Sequence, residues 1–176
     1  MKENIKRISV IGGSGTGKTV LADNLSRELN LPVCHIDGIH HLANWKERDK
    51  NERDKIILDF IKKKRWVIDG TYHSTLYERI KNADLVIYLD YSSISQVKGV
   101  IQRYIKGHGK EKKEIPGCKE RLTPKFLKFV ILWRKKNRPV VIKTLEKIDK
   151  EKLIIFKSRR ELNKWYKKEF NKKIEI

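Results

Sequence analysis

Short apolar runs and helical stripes alternate along the chain. Residues 7–11 form the first apolar run and end at a glycine cluster. Lys18–Leu29 follows, with Val20, Leu21, Leu25 and Leu29 at helical spacing. Residues 32–36 read as a second strand ending at Asp37, and residues 49–64 as a helix with Ile56, Ile57, Phe60 and Ile61 on one face. Residues 66–68 make a third strand that stops at Asp69-Gly70, and Leu85–Leu89 a fourth that ends at Asp90. Ser93 and Gln96 stand at capping-box spacing before a helix reaching about Lys106, with Gly107 as its stop. Residues 110–120 are charged, contain a Pro-Gly pair and read as a mobile loop. Thr123-Pro124 suits an N-cap and first helical position, opening a helix limited by Pro139. Val141, Leu145 and Ile148 continue a second stripe, and Leu153–Phe156 is the fifth strand. Ser158 and Glu161 form another capping box before Leu162, Trp165, Tyr166 and Phe170, which share a helical face.

Strands alternating with helices predict an α/β fold, a five-stranded parallel sheet with helices on both faces. No repeat or linker divides the chain, so residues 1–176 read as one domain. Ligands of such sheets bind beyond the carboxyl ends of the strands. That singles out the glycine cluster, Asp37, Asp69, Asp90 and Ser158-Arg159-Arg160.

Composition narrows the class. With 176 residues, 39% hydrophobic and 36% charged, the chain can bury a core without staples. Two cysteines, Cys34 and Cys118, are too few for a disulfide framework and suggest a reducing compartment. The longest apolar run, residues 129–133, is far short of a membrane span, and no signal-peptide core follows the start. The expected location is cytoplasmic. The formal net charge is +20, and it is uneven: residues 1–102 carry a net +4 and residues 103–176 a net +16. An anionic partner is therefore expected at the second half, either nucleic acid or a phosphorylated small molecule held by arginines. Lysine exceeds arginine by 30 to 12, which also fits a general compositional habit.

Gly12-Gly13-Ser14-Gly15-Thr16-Gly17-Lys18-Thr19 fits G-x-x-x-x-G-K-[ST] between a strand and a helix. Glycines let the backbone turn its N–H groups toward phosphate oxygens, and the helix adds its positive end. Lys18 supplies charge for the β- and γ-phosphates of ATP, and the Thr19 hydroxyl is a ligand for Mg²⁺. Asp69, at the end of an apolar strand, is the carboxylate expected to hold Mg²⁺ through water. No aspartate has glycine three residues later, and Asn163-Lys164 leads into Trp165-Tyr166, so the GTPase signatures are missing. His35, Asp37, His40 and His41 lie close together, but no cysteine joins them at zinc spacing, and stacking or surface roles are the expected ones.

These residues resemble the adenylate-kinase-like branch of P-loop kinases, and within it the bacterial DNA topology modulation (FlaR-related) proteins. The likeness is carried by the phosphate loop, His35-Ile36-Asp37, Trp45, Arg48, residues 66–72, residues 116–121 and residues 157–162. It implies a three-layer P-loop NTPase fold with a basic helical lid over about residues 103–122 and an acceptor segment over about residues 38–65. It implies ATP and Mg²⁺ as cofactors and a small phosphoryl acceptor. Adenylate kinases follow Asp-Gly with Phe-Pro-Arg, whereas Thr71-Tyr72-His73 follows here, which argues against AMP as acceptor.

Asp37 is expected to orient or deprotonate an acceptor hydroxyl, with Trp45, Arg48, Tyr72 and Arg79 at the acceptor. Arg103 and Arg121 flank the lid loop and, with Arg134 and Arg138 from the next helix, are expected to stabilise the moving phosphoryl group. Arg159 and Arg160 follow the fifth strand, where the resemblance implies contact with adenine; the sequence does not distinguish them. The function expected is ATP-dependent phosphotransfer, with Lys18, Asp37 and Arg103 as catalytic residues. The competing expectation is a DNA-acting regulator that uses the basic half, although zinc-finger spacing, a heptad-bearing basic region and a separate helix-turn-helix are missing.

Overall fold

The computed structural model describes residues 5–175. The elements, in order, are β1 (Arg7–Gly12), α1 (Lys18–Leu29), β2 (Val33–His35), α2 (Ile36–His40), β3 (His41–Leu42), β4 (Lys46–Glu47), α3 (Lys50–Ile61), β5 (Trp66–Asp69) and α4 (His73–Asn82). They continue with β6 (Leu85–Leu89), α5 (Ser93–Gly107), β7 (Glu111–Lys112), β8 (Ile115–Lys119), α6 (Pro124–Lys136), α7 (Arg138–Leu145), β9 (Leu153–Phe156) and α8 (Arg159–Phe170). Five strands form one parallel sheet in the order β2-β5-β1-β6-β9.

Alternation along the strands builds two cores. Ile11, Trp66, Ile68, Val86 and Tyr88 face one side and pack with Ile57, Leu76, Ile80, Trp133 and Val141 from α3, α4, α6 and α7. Ile8, Val10, Val67, Leu85, Ile87 and Leu89 face the other and pack with Leu21, Leu25, Leu162 and Tyr166 from α1 and α8. Helices thus cover both faces, as the alternating pattern predicts. The sheet therefore lies between two helical layers, the three-layer α/β arrangement expected.

The helix ends follow local chemistry. Asp49 caps α3 by accepting from the amides of Asn51 and Glu52. Thr123 caps α6 by accepting from Phe126, with Pro124 in the first turn. Ser158 accepts from the Glu161 amide, and the Glu161 carboxylate accepts from the amide of Lys157.

Four expectations need correction. The second strand stops at His35, and the chain turns at once into the short helix α2, which carries Asp37. The helix expected over 49–64 ends at Ile61, because the polar run 62–64 has no core to face. The cap of α5 is Ser92, which accepts from Ser95; Gln96 turns inward instead and donates to the Tyr91 carbonyl. The segment 110–120, expected as a mobile loop, folds as the antiparallel hairpin β7–β8. Its order comes from tertiary contacts: Ile115 and Cys118 are buried, and the Gly117 amide donates to Glu111 at 2.7 Å.

Candidate active site

The carboxyl ends of β1, β2 and β5 meet at one place. Between β1 and α1 the chain turns through Gly15 (φ +78°) and Gly17 (φ +89°), a backbone region that glycine enters without strain. A Cβ at Gly15 would stand 2.2 Å from the carbonyl oxygen of Gln96, so α5 packs directly on the loop. Helix α1 starts at Gly17 with no side chain capping it, which leaves its first amides available to an anion. The Thr71 hydroxyl, just past β5, accepts from the Gly12 amide (2.9 Å) and donates to the Gly12 carbonyl (2.8 Å), fixing the loop's entry.

The Lys18 ammonium donates to the Gly13 carbonyl at 3.0 Å, inside the curl of the loop. Burial pulls its pKa down; the nearby carboxylates of Asp37 and Asp69 oppose this, and Arg103 and Lys112 reinforce it. The Thr19 hydroxyl donates to Asp69 Oδ2 at 2.9 Å. A hydroxyl and a carboxylate in contact at the head of α1 are the oxygen donors that a hard cation takes, so these residues fit Mg²⁺. On the other side of Asp69, His35 Nδ1 lies 2.7 Å from Oδ1, and His35 Nε2 lies 3.0 Å from Asp23. Burial lowers the pKa of His35, but its hydrogen bond to Asp69 and the charges of Asp69 and Asp23 outweigh that and raise it to about 9. His35 thus bridges Asp69 and Asp23 and orients the Asp69 carboxylate.

A cavity of about 510 Å³ opens from the loop. Gly12, Ser14 and Lys18 line it together with Asp37, Trp45, Tyr72, Arg103 and Arg121. The Tyr72 hydroxyl donates to Asp37 Oδ1 at 2.9 Å. Burial, then the Asp37 charge, pushes the Tyr72 phenol well above its ordinary pKa, so it stays a donor. Arg53, buried beneath, sits 4.8 Å from the centre of the Tyr72 ring and is tied to Asp54 and Ser74.

The hairpin β7–β8 lies against the acceptor segment and completes the wall. Cys118 donates its S–H to the Leu42 carbonyl and accepts from the Trp45 amide, and the Trp45 indole donates to the Lys119 carbonyl at 3.1 Å. Asn44 and Trp45 both adopt left-handed backbone angles (φ 59° and 61°), a strained turn that these contacts hold. The Arg121 guanidinium stacks 4.4 Å from the Trp45 ring centre. On the far side Phe126, Phe129 and Trp133 of α6 supply an aromatic wall.

The other expected residues sit elsewhere. Arg79 is fully buried and donates to the carbonyls of Gly70 (2.9 Å) and Tyr72 (3.1 Å), so it shapes the turn behind the cavity and does not reach into it. Arg48 donates to the Ile39 carbonyl and pairs with Glu52, again behind the wall. Arg134 and Arg138 clamp Asp90: Arg138 is bidentate at 2.8 Å on both oxygens, and Arg134 Nη1 lies 2.9 Å from Oδ1. Their forks are thus engaged at the end of β6 and are not part of the cavity wall. Of Arg159 and Arg160, Arg159 stands over the loop, its Nη2 4.0 Å from where a Gly17 Cβ would be. His40 and His41 pack edge-on at 4.5 Å, and His40 against Tyr72 at 5.1 Å, which are ring contacts in the cavity wall.

Sequence reasoning missed Gln96, Lys112, Glu120 and the α6 wall. The spacing of Phe126, Phe129 and Trp133 on one helical face was a readable signal; Gln96, Lys112 and Glu120 offered none, because only folding brings them to the site. Gln96 is fully buried against Gly13 and Gly15, and its Oε1 has no hydrogen-bond partner.

Sheet order and loop together give the chain the P-loop fold of the kinase-like type. No family model matches the chain. Across 98% of its length it superposes on 97% of shikimate kinase from Acinetobacter baumannii in complex with shikimate, at a TM-score of 0.61 and 17% identity. Shikimate kinase from Bacteroides thetaiotaomicron gives a TM-score of 0.55 at 17% identity, covering 96% of this chain and 99% of that one. In sequence, 97 residues are 29% identical to the gas vesicle ATPase GvpN of Haloferax mediterranei, covering 51% of this chain. The matched region spans 28% of that relative's length. The two structural likenesses carry the fold. Among the described residues no helix is long and apolar enough to cross a membrane.

Proposed function

We propose that the protein is an ATP-dependent phosphotransferase that moves the γ-phosphoryl group of MgATP to a hydroxyl of a small acceptor. The observation that carries this reading is that one cavity is lined both by Ser14 and Lys18 of the phosphate loop and by the hydrogen-bonded pair Asp37–Tyr72. The loop amides of residues 12–19 and Lys18 hold the phosphates, and Arg159 lies alongside for the base. Thr19 and Asp69 would hold Mg²⁺, whose charge would offset that of the phosphates. Asp37 accepts the proton of the acceptor hydroxyl, the acceptor oxygen bonds to phosphorus, the bond to the β-phosphate oxygen breaks, and ADP leaves. Tyr72 orients Asp37 by its hydrogen bond. Trp45 and the α6 aromatics offer faces to a ring or apolar edge of the acceptor. The hairpin and Arg103 act as a lid, with Arg121 beside Trp45. Arg48, Arg79, Arg134 and Arg138 support this frame from outside the cavity. The work is positioning and electrostatics. The resemblance to DNA topology modulation (FlaR-related) proteins and a cytoplasmic location belong to this reading.

The test is a phosphotransfer screen with labelled ATP against nucleosides, nucleotides, sugars and cyclic hydroxy acids. Label is expected on a hydroxyl acceptor, none with Lys18→Ala, and about 10³-fold less with Arg103→Ala. Turnover surviving in Lys18→Ala overturns the assignment. The net +16 of residues 103–176 supports a second reading, an ATP-binding protein acting on DNA. Tight DNA binding that falls steeply with added salt, without phosphotransfer, would favour it.

A further inference from the structure

Besides Arg121, which stacks on Trp45, the cavity is lined by cations from three separate elements: Lys18 of α1, Arg103 of α5 and Lys112 of β7. The last two share a carboxylate. Arg103 Nε donates to Glu120 Oε1 at 3.1 Å, and Lys112 Nζ to Glu120 Oε2 at 3.0 Å. Lys112 is also held by Glu114 at 2.9 Å. The Lys112 side chain is 7% exposed and that of Glu120 5%, so both conformations are set by packing, whereas Arg103 is 39% exposed. Among the described residues Arg103 spends only Nε on Glu120, and its two terminal nitrogens remain as donors. Lys112 has three N–H bonds and two carboxylate partners, which leaves one donor.

A staple that only closed the hairpin would not need Arg103, which lies 17 residues before Glu120 on a different element. Nor would it need to face the cavity that holds the phosphate loop. We propose that Lys112 is a second phosphate-contacting cation of this site, directed at the terminal phosphoryl group, and that Glu120 is the positioning residue that aims Lys112 and Arg103 together. The fork of Arg103 supplies bidentate donors and Lys112 a point charge, so one anionic group is met from two sides. Tethering both to one buried carboxylate removes the freedom that long cationic side chains would otherwise lose on binding.

This inference rests on the phosphotransferase reading, and the test separates the two. Calorimetry on the full chain compares the magnesium complexes of the β,γ-imido ATP analogue and of ADP, in the wild type and in Lys112→Met. The wild type is expected to bind the triphosphate more tightly. Lys112→Met should weaken the triphosphate about tenfold or more and ADP less than about threefold, because only the triphosphate carries the terminal group. Lys112→Arg should restore the discrimination to within about threefold of wild type, a rescue that a purely structural role does not predict. Should Lys112→Met fail to fold, Glu120→Gln serves, with the triphosphate-to-diphosphate ratio expected to shrink at least threefold. A wild type that binds neither nucleotide overturns the phosphotransferase reading and this inference together. A wild type that binds both equally, or variants that keep the wild-type ratio, overturn the inference and leave the reading intact.

Discussion

The substitution Gly38→Ala tests whether the hairpin governs access to the site. A Cβ built at Gly38 would lie 2.1 Å from the carbonyl oxygen of Glu114, at the tip of the hairpin. Non-bonded contacts of that kind do not close much below 3 Å, so the tip must withdraw by about 1 Å. Helix α2 cannot yield in its place, because its first residue, Ile36, is fully buried in the core. The hairpin can, since it is held to residues 42–45 by a few hydrogen bonds around Cys118 and Lys119. Overpacking of this size costs about 1–3 kcal/mol, which lowers the docking equilibrium constant about 5- to 150-fold. Alanine favours the helix by about 1 kcal/mol over glycine, so the melting temperature should stay within about 3 °C of wild type. The assays are kcat/KM for phosphotransfer and hydrogen exchange at the Trp45 amide, which donates to Cys118 Sγ on the hairpin. Exchange at this amide should speed up by that factor, and kcat/KM should fall in step with the loss of docked hairpin. Unchanged exchange with unchanged turnover would refute the reasoning, and a melting temperature lower by 10 °C would show that the core takes the strain.

Further predictions follow from named contacts. Arg159→Ala should weaken MgATP about 3- to 30-fold, the worth of a cation over a ring, while Arg160→Ala leaves it within about twofold; equal effects in titration calorimetry would refute the distinction. Asp90→Asn should cost about 2 kcal/mol near pH 7, read as a melting temperature lower by about 4–8 °C, because it weakens the pairs with Arg138 and Arg134. The same aspartate sets a pH dependence. Burial raises the Asp90 carboxyl, but the hydrogen bond and charge of Arg138 and the charge of Arg134 outweigh that and hold it below the ordinary carboxylate value. The native state therefore takes up a proton less readily than the unfolded chain. Its contribution is complete above about pH 5 and is lost as the pH falls through the lowered native value, so the wild-type melting temperature should fall steeply below about pH 4. Asp90→Asn should show a shallower acid limb in thermal melts, and an identical one would contradict the pairing.

Much of the architecture was legible in the chain because it depends on short-range patterns. Helix α1, strands β6 and β9, the caps Thr123 and Ser158 and the phosphate loop follow from period, cap chemistry and glycine placement within about ten residues. The meeting of the glycine cluster and Asp37 at one cavity followed too, since residues just past the carboxyl ends of parallel strands in one sheet converge. What the tertiary structure alone decided concerns partners distant in sequence. A run such as 110–120 reads as a loop until Leu42 and Trp45 supply acceptors and donors for Cys118 and Lys119. An arginine reads alike whether it is to hold phosphate or carbonyls: Arg79 is committed to Gly70 and Tyr72, and Arg134 and Arg138 to Asp90, while Arg103 keeps its fork toward the cavity. Local sequence sets backbone preference over a few residues. The partner of a long charged side chain is chosen by which elements the fold brings within about 3 Å, and no nearest-neighbour pattern records that choice.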